Sequence, residues 1–97
     1  MTDYLLSEKA KYQLDEIYLY GLVTFGQPTA RRYLHNLYRQ FELLAEFPDI
    51  GQNLTIARRT FYRFGCGVHI IIYSRDSNAD IVIEAIFDGR SDYMSLM

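Results

Sequence analysis

The stretches VHIIIY (Val68 to Tyr73) and IVIEAIF (Ile81 to Phe87) are two β-branched runs joined by a short polar link. Such runs favour a pleated surface, and each is too apolar to leave both faces in water. They need a cover, and the residues ahead of them must form it. That preceding half is written in helical periods. Ser7 is placed to cap a helix with Glu8 in its first turn, and Ala10, Leu14, Ile17 and Gly21 follow at spacings of 4, 3 and 4. Gly21 on this stripe predicts close approach by a neighbour. Phe25-Gly26-Gln27-Pro28 reads as a stop followed by a start, with Gly26 suited to the helix end and Pro28 to the first turn of the next helix. Ala30, Leu34, Leu37, Phe41 and Leu44 then carry a second stripe until Pro48 closes it.

Tyr4-Leu5-Leu6 ahead of Ser7 reads as a short first strand. Asp49 to Ala57 reads as a polar loop, Thr60 to Phe64 as an aromatic strand, and Gly65-Cys66-Gly67 as the turn into VHIIIY. The expected order is β-α-α-β-β-β. The expected class is α+β, with an antiparallel helix hairpin packed on one face of a small twisted, mainly antiparallel sheet. A chain of 97 residues that is 49% hydrophobic has material for one core, so residues 1–97 are expected to form one domain.

Several function classes fall away. No run approaches the roughly 20 apolar residues of a membrane helix, and Met1-Thr2-Asp3-Tyr4 has no basic or apolar leader. A cytoplasmic protein without membrane contact is expected. Cys66 is the only cysteine and cannot form an internal disulfide, and with only His35 and His69 a structural zinc site lacks ligands. No P-loop, GxGxxG, GxSxG or HExxH pattern is present, so neither metal nor cofactor is expected.

The net charge of −2 is unevenly spread. From residue 64 onward, Arg75 and Arg90 stand against Asp76, Asp80, Glu84, Asp88 and Asp92, leaving −3, whereas residues 28–63 are arginine-rich at +3. No lysine follows Lys11. Nucleic-acid affinity comes largely from phosphate neutralisation, so direct sequence-specific nucleic-acid binding is not expected. Arg58, Arg59 and Arg63 lie in and just before the second strand, and Arg90 follows the last one. In a meander they are placed to form a positive patch around Tyr62 and Tyr93, or to pair with Asp88 and Asp92. Cys66 between two glycines reads as a small turn residue. His69 shares a strand face with Ile71 and Tyr73, which suits a hydrogen-bonded histidine at the core before it suits a base.

These segments together resemble one family. YLLSEKAKYQLDEIYLYGLVTFG, ARRYLHNLYRQFELLAEFPDIG, GVHIIIYSRD and IVIEAIFDGRSD are similar, in order and spacing from Tyr4 to about Asp92, to the ParE branch of the RelE/ParE toxin superfamily. The resemblance implies the toxin of a type II toxin–antitoxin pair, held in a hetero-oligomer by a ParD-like antitoxin. It also implies DNA gyrase as the target and no catalysis. RelE relatives share the fold but cut mRNA in the ribosome. On that alternative the catalytic set is Arg63, His69, Arg90 and Tyr93. A third alternative is an inactive member that only binds its antitoxin. Antitoxin contacts are expected at Tyr18, Leu22 and Tyr33 on the helices and at Arg58, Arg59 and Tyr62 by the second strand. Target contacts are expected at Arg90, Asp92 and Tyr93, because the chain end is free to reach outward. The negative sheet half argues against docking into RNA and so favours the gyrase branch.

Overall fold

The computed structural model describes residues 3–97. Along the chain it runs β1 (Tyr4–Leu6), α1 (Glu8–Phe25), α2 (Gln27–Glu46), β2 (Gln52–Ile56), β3 (Arg59–Cys66), β4 (His69–Arg75), β5 (Ile81–Asp88) and a last turn α3 (Tyr93–Leu96). Ser7 caps α1, its Oγ accepting from the Ala10 amide at 3.0 Å while donating to the Glu84 carbonyl at 2.7 Å. One side chain thus starts the helix and ties it to β5. Gly26, at φ 88°, closes α1 and opens α2 in a single residue, with Pro28 in the first turn that follows. Only a residue at ease with positive φ makes so tight a connection. A Cβ on Gly21 would stand 3.2 Å from the Ala30 Cβ, so the close approach expected at Gly21 is where the two helices touch.

The sheet has the order β1-β5-β4-β3-β2. β1 lies parallel to β5, Tyr4 opposite Ile81 and Leu6 opposite Ile83, and all other pairs are antiparallel. The helix hairpin covers one face. Ala10, Leu14, Leu37, Phe41 and Leu44 meet Ile71, Tyr73, Ile81, Ile83 and Ile86 there in the main core. Tyr73 is fully buried in it, its hydroxyl donating to the Pro48 carbonyl at 2.8 Å and accepting from the Gly51 amide at 2.9 Å. These two bonds pin the segment that leaves α2.

The α+β reading holds, with two corrections. Part of the segment read as a loop is a fifth strand, β2, pairing Gln52 with Arg63 and Ile56 with Arg59. Leu54 and Ile56 are its only inward apolar residues, too few to outweigh the polar flank. The second correction is the turn at Gly65-Cys66-Gly67. β3 runs on through Cys66, which is buried, and the reversal falls at Gly67-Val68, with Gly67 at φ 59°.

The opposite face is also apolar. Phe61, Ile72, Ala85 and Phe87 form a second buried cluster flanked by Leu54, Ile56, Ile70 and Tyr93. This explains why β4 and β5 are apolar at almost every position. The register slips between Ile72 and Tyr73, where Ile72 faces Ala85 and Tyr73 faces Ile83, leaving Glu84 as the extra residue. Glu84 accepts from Ser74 Oγ at 2.5 Å and lies 3.7 Å from Arg59. Among the described residues no helix is long and apolar enough to cross a membrane.

Candidate functional site

Three surfaces carry the polar side chains singled out in the sequence. The first is the exit of β5. Asp88 sits opposite His69 in the sheet register, and Arg90 folds back on it, donating Nε to Oδ1 at 3.1 Å and Nη2 to Oδ2 at 2.8 Å. The Arg90 amide also donates to Oδ1 at 2.8 Å. That grip holds the Asp88 carboxyl well below the usual carboxylate range, and the carboxylate in turn raises the guanidinium. The Asp-Gly-Arg segment is thus a chelated turn that displays one mutually neutralised ion pair at the surface. Of the two arrangements open to Arg90, pairing with Asp88 is the one formed.

His69 lies at the edge of the helix-covered face. Its Nδ1 is 2.6 Å from Tyr33 Oη, and that hydroxyl is 3.1 Å from the Cys66 carbonyl. Tyr33 has one proton. Donating it to the carbonyl leaves the phenol oxygen to accept from Nδ1–H, which satisfies all three groups and leaves Nε2 as a bare acceptor; the tautomer is assigned on that ground. Burial holds His69 below its ordinary value, with Asp88 opposing and Arg90 reinforcing, and burial pushes the Tyr33 phenol up. Burial likewise raises the Cys66 thiol, so it stays protonated and is no nucleophile.

The third surface is the face without the helix hairpin. Arg59 lies 4.7 Å above the Phe61 ring, and Arg63 lies 5.8 Å from the Tyr93 ring centroid. Arg63 donates to Gln52 Oε1 at 3.0 Å, while its Nε is buried without a partner. Tyr93 stacks on Phe87 at 6.0 Å, and Lys9 donates to the Leu96 carbonyl at 3.2 Å. The expectation of a free chain end is therefore corrected. α3 is drawn down onto the sheet because Phe87 and Phe61 would otherwise face water.

Two groupings of residues do not assemble. Arg63 and Tyr93 meet on the helix-free face, whereas His69 is on the other side of the sheet against Tyr33, and Arg90 is tied to Asp88. Tyr62 stacks on Tyr73 at 5.2 Å on the helix side, so it shares no patch with Tyr93. The six expected antitoxin contacts are spread as well. Tyr33 touches the Cys66 end of β3, while Arg58 occupies the turn at its other end, a strand length of roughly 25 Å away. Tyr18 and Leu22 are half-buried on α1, and Arg58, Arg59 and Asp92 are exposed. Pairing of Tyr33 with His69 was not legible from spacing, because 36 residues separate them.

Beside His69 a cleft of about 260 Å³ opens between α1 and the start of β4, and a shallower one of about 460 Å³ adjoins it along α2. No three His, Cys, Asp or Glu side chains cluster as metal ligands would among the described residues.

Against known proteins, residues 4–93 match the family model described as ParE toxin of type II toxin-antitoxin system, parDE. This chain belongs to the ParE toxin family. It is 32% identical over 82 residues to Toxin ParE1 of Caulobacter vibrioides, covering 84% of this chain and 85% of that protein. A chain from the solved chromosomal ParDE TA system from P. aeruginosa has a TM-score of 0.76 at 18% identity, covering 91% of this chain and 96% of the other. That likeness speaks for the fold. The match to the family model ends at Tyr93, so β5, the chelated turn and the residue that anchors α3 are inside it, while Met94 to Met97 lie beyond.

Proposed function

We propose that this ParE-type toxin acts by binding rather than by catalysis: it inhibits DNA gyrase in the cytoplasm and is silenced in a hetero-oligomer with a ParD-like antitoxin. Family membership supports the class. The observation that carries the choice of mechanism is the separation of the side chains an RNA-cutting relative would need. Cleavage beside a phosphate requires a base, an acid and a cation converging within hydrogen-bond reach of one reacting group. Here His69 is engaged with Tyr33 across the sheet from Arg63 and Tyr93, and Arg90 is held by Asp88. The acidic sheet half supports the same reading, since a ribosomal site calls for a cationic face.

Target binding is assigned to the chelated turn and the residues after it, Arg90, Asp92 and Tyr93. They follow a rigid strand, and Arg90 and Asp92 are exposed. Purified protein added to gyrase with relaxed plasmid should block supercoiling or trap cleaved DNA. In a parallel reaction with translating ribosomes and labelled mRNA, no new cuts should appear. Ribosome-dependent cuts with undisturbed supercoiling would replace gyrase inhibition with the nuclease reading. Silence in both assays, with tight antitoxin binding, would mark a copy that only binds its antitoxin.

A further inference from the structure

We infer that the cleft beside His69 is an anchor site for one aromatic side chain bearing an N–H or O–H donor, carried on an acidic segment of the antitoxin. The inference rests on the antitoxin reading above and adds the chemistry of the contact.

The carboxyl-terminal half of α1, Ile17 to Phe25, is apolar or aromatic at every position but Gly21 and Thr24. Ile17 and Gly21 face inward, yet Leu19, Tyr20, Val23 and Phe25 are 59%, 69%, 86% and 64% exposed. A helix this apolar is normally covered, and among the described residues nothing covers its exposed side. The cleft lies at its flank, lined by Ile17, Tyr20, Gly21, Phe25, Tyr33 and His69 among others. About 260 Å³ is below the usual range for a cofactor-sized ligand, so the space suits a single large side chain.

Its polar floor is selective. With Tyr33 holding Nδ1, the His69 ring offers only Nε2, which makes no protein hydrogen bond among the described residues and is not sealed from solvent. A ring that fills the cleft displaces water from that nitrogen. An indole N–H or a phenol O–H replaces the lost bond, and a purely apolar ring does not. Tyr33 is thus a positioning residue, because it decides that Nε2 accepts.

The neighbouring cleft gives the sign of the flanking charge. It shares Thr29 and Tyr33 with the first and is otherwise lined by Arg32, His35, Asn36 and Arg39, with no acidic side chain. None of these arginines forms a salt bridge among the described residues, although each is exposed. An anchor seated beside His69 therefore brings its neighbours against unpaired guanidinium groups, and carboxylates complement them.

The test uses the isotopically labelled full-length chain in NMR titrations with indole and with benzofuran, which has the same bicyclic shape and no N–H. Amides of Gly21, Ala30 and Val68 should shift with both, and indole should bind about tenfold tighter. His69→Phe and Tyr33→Phe should each bring the two affinities together. A tryptophan peptide flanked by glutamates should likewise outcompete its lysine-flanked counterpart, and lose that advantage in high salt. Equal affinity of the unmodified chain for indole and benzofuran, shifts mapping away from the cleft, or preference for the lysine peptide would each overturn the proposal. Co-purification with the product of the adjacent reading frame tests the antitoxin reading separately. An intact complex with no indole preference would therefore sink the anchor alone.

Discussion

Tyr73 and Gly51 are built around each other: the phenol oxygen receives the Gly51 amide, and a methyl group on Gly51 would collide with that same ring. The Tyr73 Cε1 and Cζ atoms would lie 2.7 and 2.8 Å from the added carbon, so the clash is with a fully buried side chain that has no room to retreat. Gly51→Ala should lower stability by about 2–3 kcal/mol, combining overpacking with a lost hydrogen bond. Tyr73→Phe should cost about 1–3 kcal/mol by orphaning the Pro48 carbonyl and the Gly51 amide. Because ring carbons also stand in the way, Tyr73→Phe should not rescue Gly51→Ala. Urea denaturation of the two single variants and the double variant checks all three.

His69 predicts an acid-sensitive fold. Burial sets its folded value below 6.5, so the unfolded chain binds the proton more readily. Stability therefore rises with pH through the window between the folded and unfolded values, and falls as the medium is acidified below about pH 6.5. His69→Gln should flatten that part of the profile in melts recorded from about pH 5 to about pH 8. Asp88 contributes in the same sense but at lower pH: its value is depressed, so its stabilisation is present above 3.8 and lost only in stronger acid.

The β2–β3 turn holds Ala57 at φ 51° and Arg58 at φ 68°, two consecutive left-handed residues where asparagine and glycine are at ease. Ala57→Asn with Arg58→Gly should raise stability by about 0.5–1 kcal/mol in the same denaturation assay. If Arg58 belongs to the antitoxin contact, the double variant should bind antitoxin more weakly while folding better. Calorimetric titration gives that second half of the answer.

Tyr93 holds α3 through its stack on Phe87 and its approach to Arg63. Tyr93→Ala should cost about 1 kcal/mol and increase binding of a hydrophobic dye, as Phe61 and Phe87 lose cover. Unchanged dye fluorescence would mean that α3 is not what shields this face.

Arg90→Ala should leave the far-UV spectrum unchanged, because the ion pair with Asp88 is at the surface. The gyrase reading predicts at least about a tenfold loss of supercoiling inhibition. Full inhibition by Arg90→Ala and Asp92→Ala alike would remove the strand exit from the target contact.

The helical half was legible because its signals are local. Ser7, Gly26, Pro28 and the two stripes each act within a turn or two of themselves, and each sits where its chemistry says. β4 and β5 were legible as buried strands, but which layer covers their second face was not: that depends on α3 folding back, a contact between Phe87 and Tyr93 that no period encodes. β2 was hidden for a related reason. Its two inward residues, Leu54 and Ile56, gain meaning only from Phe61 on the neighbouring strand. The positive patch failed on parity, since Tyr62 and Arg63 are adjacent in sequence and thus point to opposite faces. Charge composition argues against RNA binding without naming a surface, and the Asp88–Arg90 pair was one of two arrangements left open.

The parallel pairing of Tyr4–Leu6 with Ile81–Ile83 also bears on how the toxin is born. A nascent chain can wind its two helices early, but it cannot close the sheet until the last strand has left the ribosome. The first residues made must wait for nearly the last. The finished sheet, and any surface that depends on it, is thereby deferred until β5 has emerged.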